Sequence, residues 1–317
     1  MGDTLSIKVF QALGACLNAR PRRRVILSDS GNFPTDLYMA QGLISHLGGD
    51  YRLRVVAPEA VADSIDEDVA VLMLTHVDYR TGRMHDMGAL TRQAHKAGAL
   101  TLWDLAHSAG AVDLDLAGSG ADFAVGCTYK YLSGGPGAPA FIYVRPDLAD
   151  QVNPILAGWM GHTAPFAFEP DYRPAPGVGR LRVGTPPVVA LSILDASLEL
   201  WEGVDMSVLR ARSVALGDRF IAGVDAEGLD LKLASPRTGA FRGSQVSYAF
   251  GQGYAVVQAL IAEGVVGDFR APDIMRFGFS PLYVSLEDID LAVAALCRVL
   301  REGRYLRPEF QVRAAVT

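Results

Sequence analysis

The chain has 317 residues, half of them hydrophobic and a fifth charged, with a formal net charge of −6. This length accommodates one large domain and a smaller one, and the acidic balance argues against nucleic acid or an anionic membrane as partner. The three cysteines, Cys16, Cys127 and Cys297, form neither a metal pattern nor a disulfide framework, so no metal and a cytoplasmic location are expected. No signal peptide is legible, and no apolar run suits a membrane span.

In chain order, residues 7–17 carry apolar side chains at helical spacing, with Asp3, Thr4 and Ser6 as candidate caps. The basic run Arg22-Arg23-Arg24 leads into a strand at 24–27 and reads as a solvated strand end. A helix at 38–47 ends at Gly48-Gly49, a short strand follows at 53–57, and the continuous apolar run 69–74 suits a strand buried on both faces. A helix at 87–97 stops at Gly98, and short strands follow at 99–102, 123–125 and 141–144. This alternation predicts an α/β layer with a largely parallel sheet. Residues 154–187 are rich in Gly, Pro and aromatics. Helices are then expected at 188–201, 208–224, 254–263 and 286–301, with strands near 229–233 and 245–250. The division expected is a large domain at 1–187 and a smaller α+β domain at 188–317.

Ligands of parallel sheets collect at the carboxyl ends of strands, and Phe33, Thr75, Asp104 and Lys130 each closely follow a strand-like run. Asp104 ends one run and Lys130 the next, with Ser133-Gly134-Gly135-Pro136-Gly137 beyond it. An amine and a carboxylate so placed suit pyridoxal phosphate, which needs the amine to hold it covalently and the acid to keep its ring nitrogen protonated. A buried ammonium without a partner is costly, which strengthens the reading for Lys130. His107 lies three residues after Asp104 and reads as a cofactor contact. In Asn32-Phe33-Pro34-Thr35-Asp36, Phe33 either stacks on the cofactor ring or packs in the core, and Asp36 either orients a polar group or caps a helix. Tyr129 is a phosphate or proton donor, or a packed aromatic. Arg276, set between apolar residues, suits bidentate capture of a carboxylate or lies on a surface strand. Cys127 reads as a small packed hydrophobe.

The stretches NFPTDLY, LTHVDYRTG, WDLAHSAGAV, DFAVGCTYKYLSGGPGAPAF, GWMGH, RVGTPP, RGSQVS and GDFRAPDIMRFGFSPLY run in this order along almost the whole chain. In them the sequence resembles the kynureninases, pyridoxal-phosphate enzymes of fold type I that hydrolyse L-kynurenine to anthranilate and L-alanine in tryptophan catabolism and NAD biosynthesis. The resemblance implies that Lys130 holds the cofactor and later moves the Cα proton, that Asp104 pairs with the ring nitrogen, and that His107 contacts the cofactor. It places Phe33 on the ring, with Pro34, Thr35 and Asp36 beside it, and Thr75 in the pocket wall. Tyr129 binds phosphate and donates a proton. Leu5 and Ser6 fall at a phosphate-binding Leu-Thr position, with Ser in place of Thr. Trp159 and Thr185 reach the phosphate of the neighbouring subunit, which implies a homodimer, and Arg276 binds the substrate α-carboxylate. Gly184-Thr185 resembles the bacterial type, which favours kynurenine over its 3-hydroxy form.

Kynureninases carry a substantial segment before the position of Met1, so the expectation is that the natural protein is longer. Two other readings follow: a related lyase of the same fold, such as a cysteine desulfurase, or a catalytically impaired fragment that binds pyridoxal phosphate.

Overall fold

The computed structural model describes residues 1–313. The chain divides into two compact units. One comprises Met1–His76, His85–Ala109 and Leu114–Gly203, and the other comprises Val77–Met84, Gly110–Asp113 and the chain from Val204 onward.

The first unit is built on six strands: β1 (Val25–Asp29), β2 (Arg52–Val56), β3 (Val69–Thr75), β4 (Leu100–Asp104), β5 (Phe123–Cys127) and β6 (Ala140–Val144). Their order is β2-β1-β3-β4-β5-β6. All neighbours are parallel except β5 and β6, which pair antiparallel. The continuous apolar runs arise because both sheet faces are covered. Ile26, Met73, Leu102 and Val125 pack into one core with helices α1 (Leu5–Ala19) and α2 (Pro34–Leu47), whereas Leu27, Leu74, Trp103 and Ala124 pack into another with α3 (Met87–Ala97). Side chains alternate across a strand, so both sets must be apolar. Helix α3 begins where the Asp86 side chain accepts from Ala89 N–H and ends at Gly98, whose φ of 82° is left-handed. The short helices α4 (Leu116–Ser119) and α5 (Pro146–Ala149) complete the sheet connections.

The sequence places a boundary after residue 187, and the first compact unit runs on to Gly203. Helix α6 (Val188–Leu198) belongs to the first unit. Ser197 Oγ contacts the carbonyls of Leu132 and Ser133, and Leu194 lies so close to Gly134 that a Cβ there would meet its Cδ1 at 3.0 Å. The helix therefore braces the glycine-rich loop after Lys130, a long-range contact with no signature in local periodicity.

The second unit contains α7 (Met206–Ala226), α8 (Gly253–Ala262), α9 (Leu286–Arg301) and an antiparallel sheet of order β7-β8-β10-β9. Its strands are β7 (Lys232–Leu233), β8 (Gln245–Ala249), β9 (Asp268–Arg270) and β10 (Ile274–Gly278). β9 and β10 escape an element-by-element reading of the sequence because each is short and Pro272 stands between them. Helix α9 opens with a reciprocal capping box between Ser285 and Asp288. Among the described residues no helix is long and apolar enough to cross a membrane.

Candidate active site

The parallel strands of the first unit deliver polar residues to one sheet edge. Asp104 is the last residue of β4, in register with Thr75 and Val125, and is buried. Its Oδ1 accepts from Ala106 N–H at 2.8 Å, which holds the carboxyl against the turn after the strand. Lys130 follows β5 by three residues, and its Nζ lies 3.0 Å from His107 Nε2. The loop carrying Lys130 is closed by two bonds: Thr128 Oγ1 donates to Pro139 O at 2.7 Å, and Gly134 N–H donates to Thr128 O at 2.8 Å. Within it Ser133 adopts a left-handed φ of 60°, a conformation that costs free energy for a residue with a Cβ.

Asp36 lies on the first turn of α2 and is buried. It does not cap the helix, since Phe33 occupies the cap position without a side-chain bond and Pro34 starts the helix. Its carboxyl faces that of Asp104. Burial pushes the Asp36 carboxyl well above the usual range, and the neighbouring Asp104 adds to this by charge and hydrogen bonding. Burial also raises Asp104, but the Lys130 charge and the Ala106 N–H oppose it. Two adjacent buried carboxyls do not both ionise. We therefore assign the shared proton to Asp36 and the negative charge to Asp104.

Asn32 organises the turn before α2. Its Nδ2 donates to Ser28 Oγ at 2.9 Å, while its Oδ1 accepts from Phe33 N–H at 2.7 Å and from Thr75 Oγ1 at 2.5 Å. The turn leaves the Phe33 ring 41% exposed, so it is not a core residue. Tyr129 is also exposed, and the Lys130 Nζ sits 5.7 Å from its ring centroid. Partial burial, followed by the Cys127 thiol, pushes the Tyr129 phenol up to about 12. The Tyr129 phenol therefore keeps its proton at neutral pH.

The sequence model described as the kynureninase C-terminal domain matches residues 209–296. A kynureninase of Burkholderia mallei (strain SAVP1) is 50% identical over a 322-residue alignment covering 99% of this chain and 77% of that protein. A kynureninase of Pseudomonas fluorescens matches with the same identity and coverage. The chain belongs to the kynureninase family. Solved structures of the same fold include an apo cysteine desulfurase from Thermococcus onnurineus NA1, with a TM-score of 0.78, 18% identity and coverage of 95% of this chain and 78% of that one. Another is a mutant of C-DES with glycine covalently linked to its PLP cofactor, with a TM-score of 0.80, 20% identity and coverage of 93% and 79%.

Pyridoxal phosphate, the cofactor expected from the sequence, fits the kynureninase-family residues assembled here. Lys130 offers a primary amine with its own hydrogen-bond partner, and Asp104 is a buried carboxyl that keeps its charge beside a protonated one. The other expected residues lie elsewhere. Leu5 and Ser6 open α1, where the Thr4 side chain makes no capping bond. The segments bearing Trp159 and Thr185 adjoin, because Gly158 lies so close to the Val183 backbone that a Cβ there would meet its carbonyl oxygen at 2.1 Å. Thr185 also lines a cavity of about 310 Å³ together with Lys8 and Arg182. Arg276 is on β10 of the second unit, where it donates to Tyr79 O at 2.6 Å and pairs with Asp268.

Three polar partnerships near the sheet edge escape the sequence reading. His85 Nε2 lies 2.6 Å from Asp29 Oδ2, a buried pair at the end of β1. His76 Nδ1 lies 2.8 Å from Ser108 Oγ, next to His107 in the chain. The third is Asn32 itself, whose position before Phe33-Pro34 was the available signal. Neither histidine stands in a periodic pattern, so only the fold could reveal those pairs.

Proposed function

We propose that this chain hydrolyses L-kynurenine to anthranilate and L-alanine with pyridoxal phosphate as cofactor, acting as a cytoplasmic homodimer in tryptophan catabolism. The observation that carries the reading is the Lys130–His107 and Asp36–Asp104 constellation at the sheet edge of a chain half identical to kynureninases. The chemistry that bound pyridoxal phosphate supplies is an electron sink for the substrate Cα and Cβ.

Lys130 would hold the cofactor through its amine and, once free, would move the Cα proton. His107 orients Lys130 through the contact between Nε2 and Nζ. Asp104, held charged by the proton on Asp36, keeps the ring nitrogen protonated. Phe33 covers the ring, with Pro34 and Thr35 fixing its turn and Thr75 steadying that turn through Asn32. Tyr129 delivers a proton during cleavage of the Cβ–Cγ bond. Leu5 and Ser6 bind the phosphate, and Trp159 and Thr185 reach the phosphate held by the second subunit. Arg276 receives the substrate α-carboxylate.

A desulfurase reading is not favoured, because that chemistry needs an accessible, reactive thiol. Cys16, Cys127 and Cys297 are all buried, and burial pushes each thiol up. The deciding experiment follows anthranilate fluorescence after the pyridoxal-phosphate-loaded protein is mixed with L-kynurenine or its 3-hydroxy form. Release that is lost in Lys130→Ala is expected. Absence of release from both substrates overturns the reading.

A further inference from the structure

We propose that Asp268 limits how tightly Arg276 holds a carboxylate, and so favours departure of the amino-acid product. The proposal rests on the reading of Arg276 as the α-carboxylate site.

Asp268 on β9 and Arg276 on β10 are direct partners across the antiparallel pair. Asp268 Oδ2 accepts from Arg276 Nη2 and lies 3.4 Å from Arg270 Nη2. Its Oδ1 is buried and has no hydrogen-bond partner among the described residues. One carboxylate oxygen therefore serves two guanidinium groups while the other serves none, a poor use of a carboxylate if its role were structural alone. Arg276 is 10% exposed and is also fixed through Nη1 to Tyr79 O. These two bonds occupy two of the five guanidinium N–H groups, so Arg276 remains able to receive a second carboxylate.

The surrounding charges fit one more anion. Arg80 pairs with Asp273 at 3.8 Å, and its Nε is buried without a hydrogen-bond partner among the described residues. Arg270 and Arg276 share the single carboxylate of Asp268, so this group carries one more positive charge than its acidic partner. An incoming α-carboxylate neutralises the cluster, but it meets an arginine already paired with Asp268. Substrate and product both carry that carboxylate. The internal aspartate therefore weakens the hold on both and keeps the small product from lingering.

The test is Asp268→Asn, which keeps an oxygen acceptor for Arg276 Nη2 and removes the charge. Two quantities are read on the cofactor-loaded protein: the KM for L-kynurenine and the calorimetric Kd for L-alanine. Both are expected to fall together by roughly 3- to 10-fold, the scale for deleting one partly exposed charge beside an ion pair. A merely structural role predicts a rise or no change, and either result overturns the proposal. Arg276→Ala separates the two readings. If it weakens alanine binding while Asp268→Asn does not tighten it, the Asp268 proposal falls and the Arg276 assignment stands. If Arg276→Ala leaves both quantities unchanged, both fall.

Discussion

The Nζ of Lys130 and the Nε2 of His107 are 3.0 Å apart, across a sequence separation of 23 residues. At that distance the two nitrogens are hydrogen-bond partners. This gives the amine a fixed direction before any ligand arrives.

Replacing His107 with Ala removes this partner of Lys130 Nζ. Its kcat/KM is expected to fall about 10- to 100-fold, the usual cost of a misplaced reacting group. His107→Gln retains a group that can donate or accept and should recover most of the loss. Steady-state kinetics of the two variants, with cofactor absorbance as a loading check, decide it. Equal rates in wild type and His107→Ala would remove the orienting role.

The Asp36–Asp104 pair predicts opposite outcomes for similar substitutions. Asp36→Asn imitates the protonated state that Asp36 already holds, so activity should stay within a few-fold of wild type. Asp104→Asn removes the charge and is expected to cost at least about 100-fold in kcat, as loss of a preorganised electrostatic contact does.

Stability should follow the same pair. Asp36 has its carboxyl raised in the folded chain, so the native state binds a proton that the unfolded chain releases above about pH 4. The stabilising effect of that proton is present at low pH and is lost as pH rises through the raised value. Cofactor-free Asp36→Asn should therefore gain stability over wild type as pH rises above about 4, with no gain below it. Thermal melts across pH measure this, and a gap that narrows with rising pH contradicts it.

Tyr129 is pushed up to about 12. Tyr129→Phe should lower kcat by roughly 100-fold or more, the scale for loss of a positioned proton donor. The alkaline limb of the pH–rate profile below about pH 10, the ordinary phenol value, should not move, since the phenol keeps its proton there. A limb that disappears with the hydroxyl would show that Tyr129 titrates lower and acts differently.

Gly158 lies directly against the Val183 backbone. An added Cβ would meet Val183 O at 2.1 Å and its carbonyl carbon at 2.6 Å. Gly158→Ala is expected to destabilise the chain by about 1–3 kcal/mol, as overpacking does, and to separate the Trp159 and Thr185 segments. A lowered melting temperature is the expected result.

Much of this protein is legible in its sequence because the signals are local. The buried runs, the stop of α3 at Gly98 and the alternation of strands with helices follow from side-chain periodicity and glycine stereochemistry. So does the placement of Asp104 and Lys130 near strand ends. The family-like segments added an assignment for each site residue. Tertiary structure alone decided which of two carboxyls keeps a proton, because that depends on burial and on a neighbour 68 residues away in the chain. It alone brought His85 to Asp29 and His76 to Ser108, and it moved helix α6 into the first unit to brace the lysine loop. It also set Asp268 opposite Arg276, through a strand pair too short to register as periodicity. Local pattern specifies what each segment becomes, whereas charge, proton position and hydrogen-bond partner are properties of groups that only folding brings together.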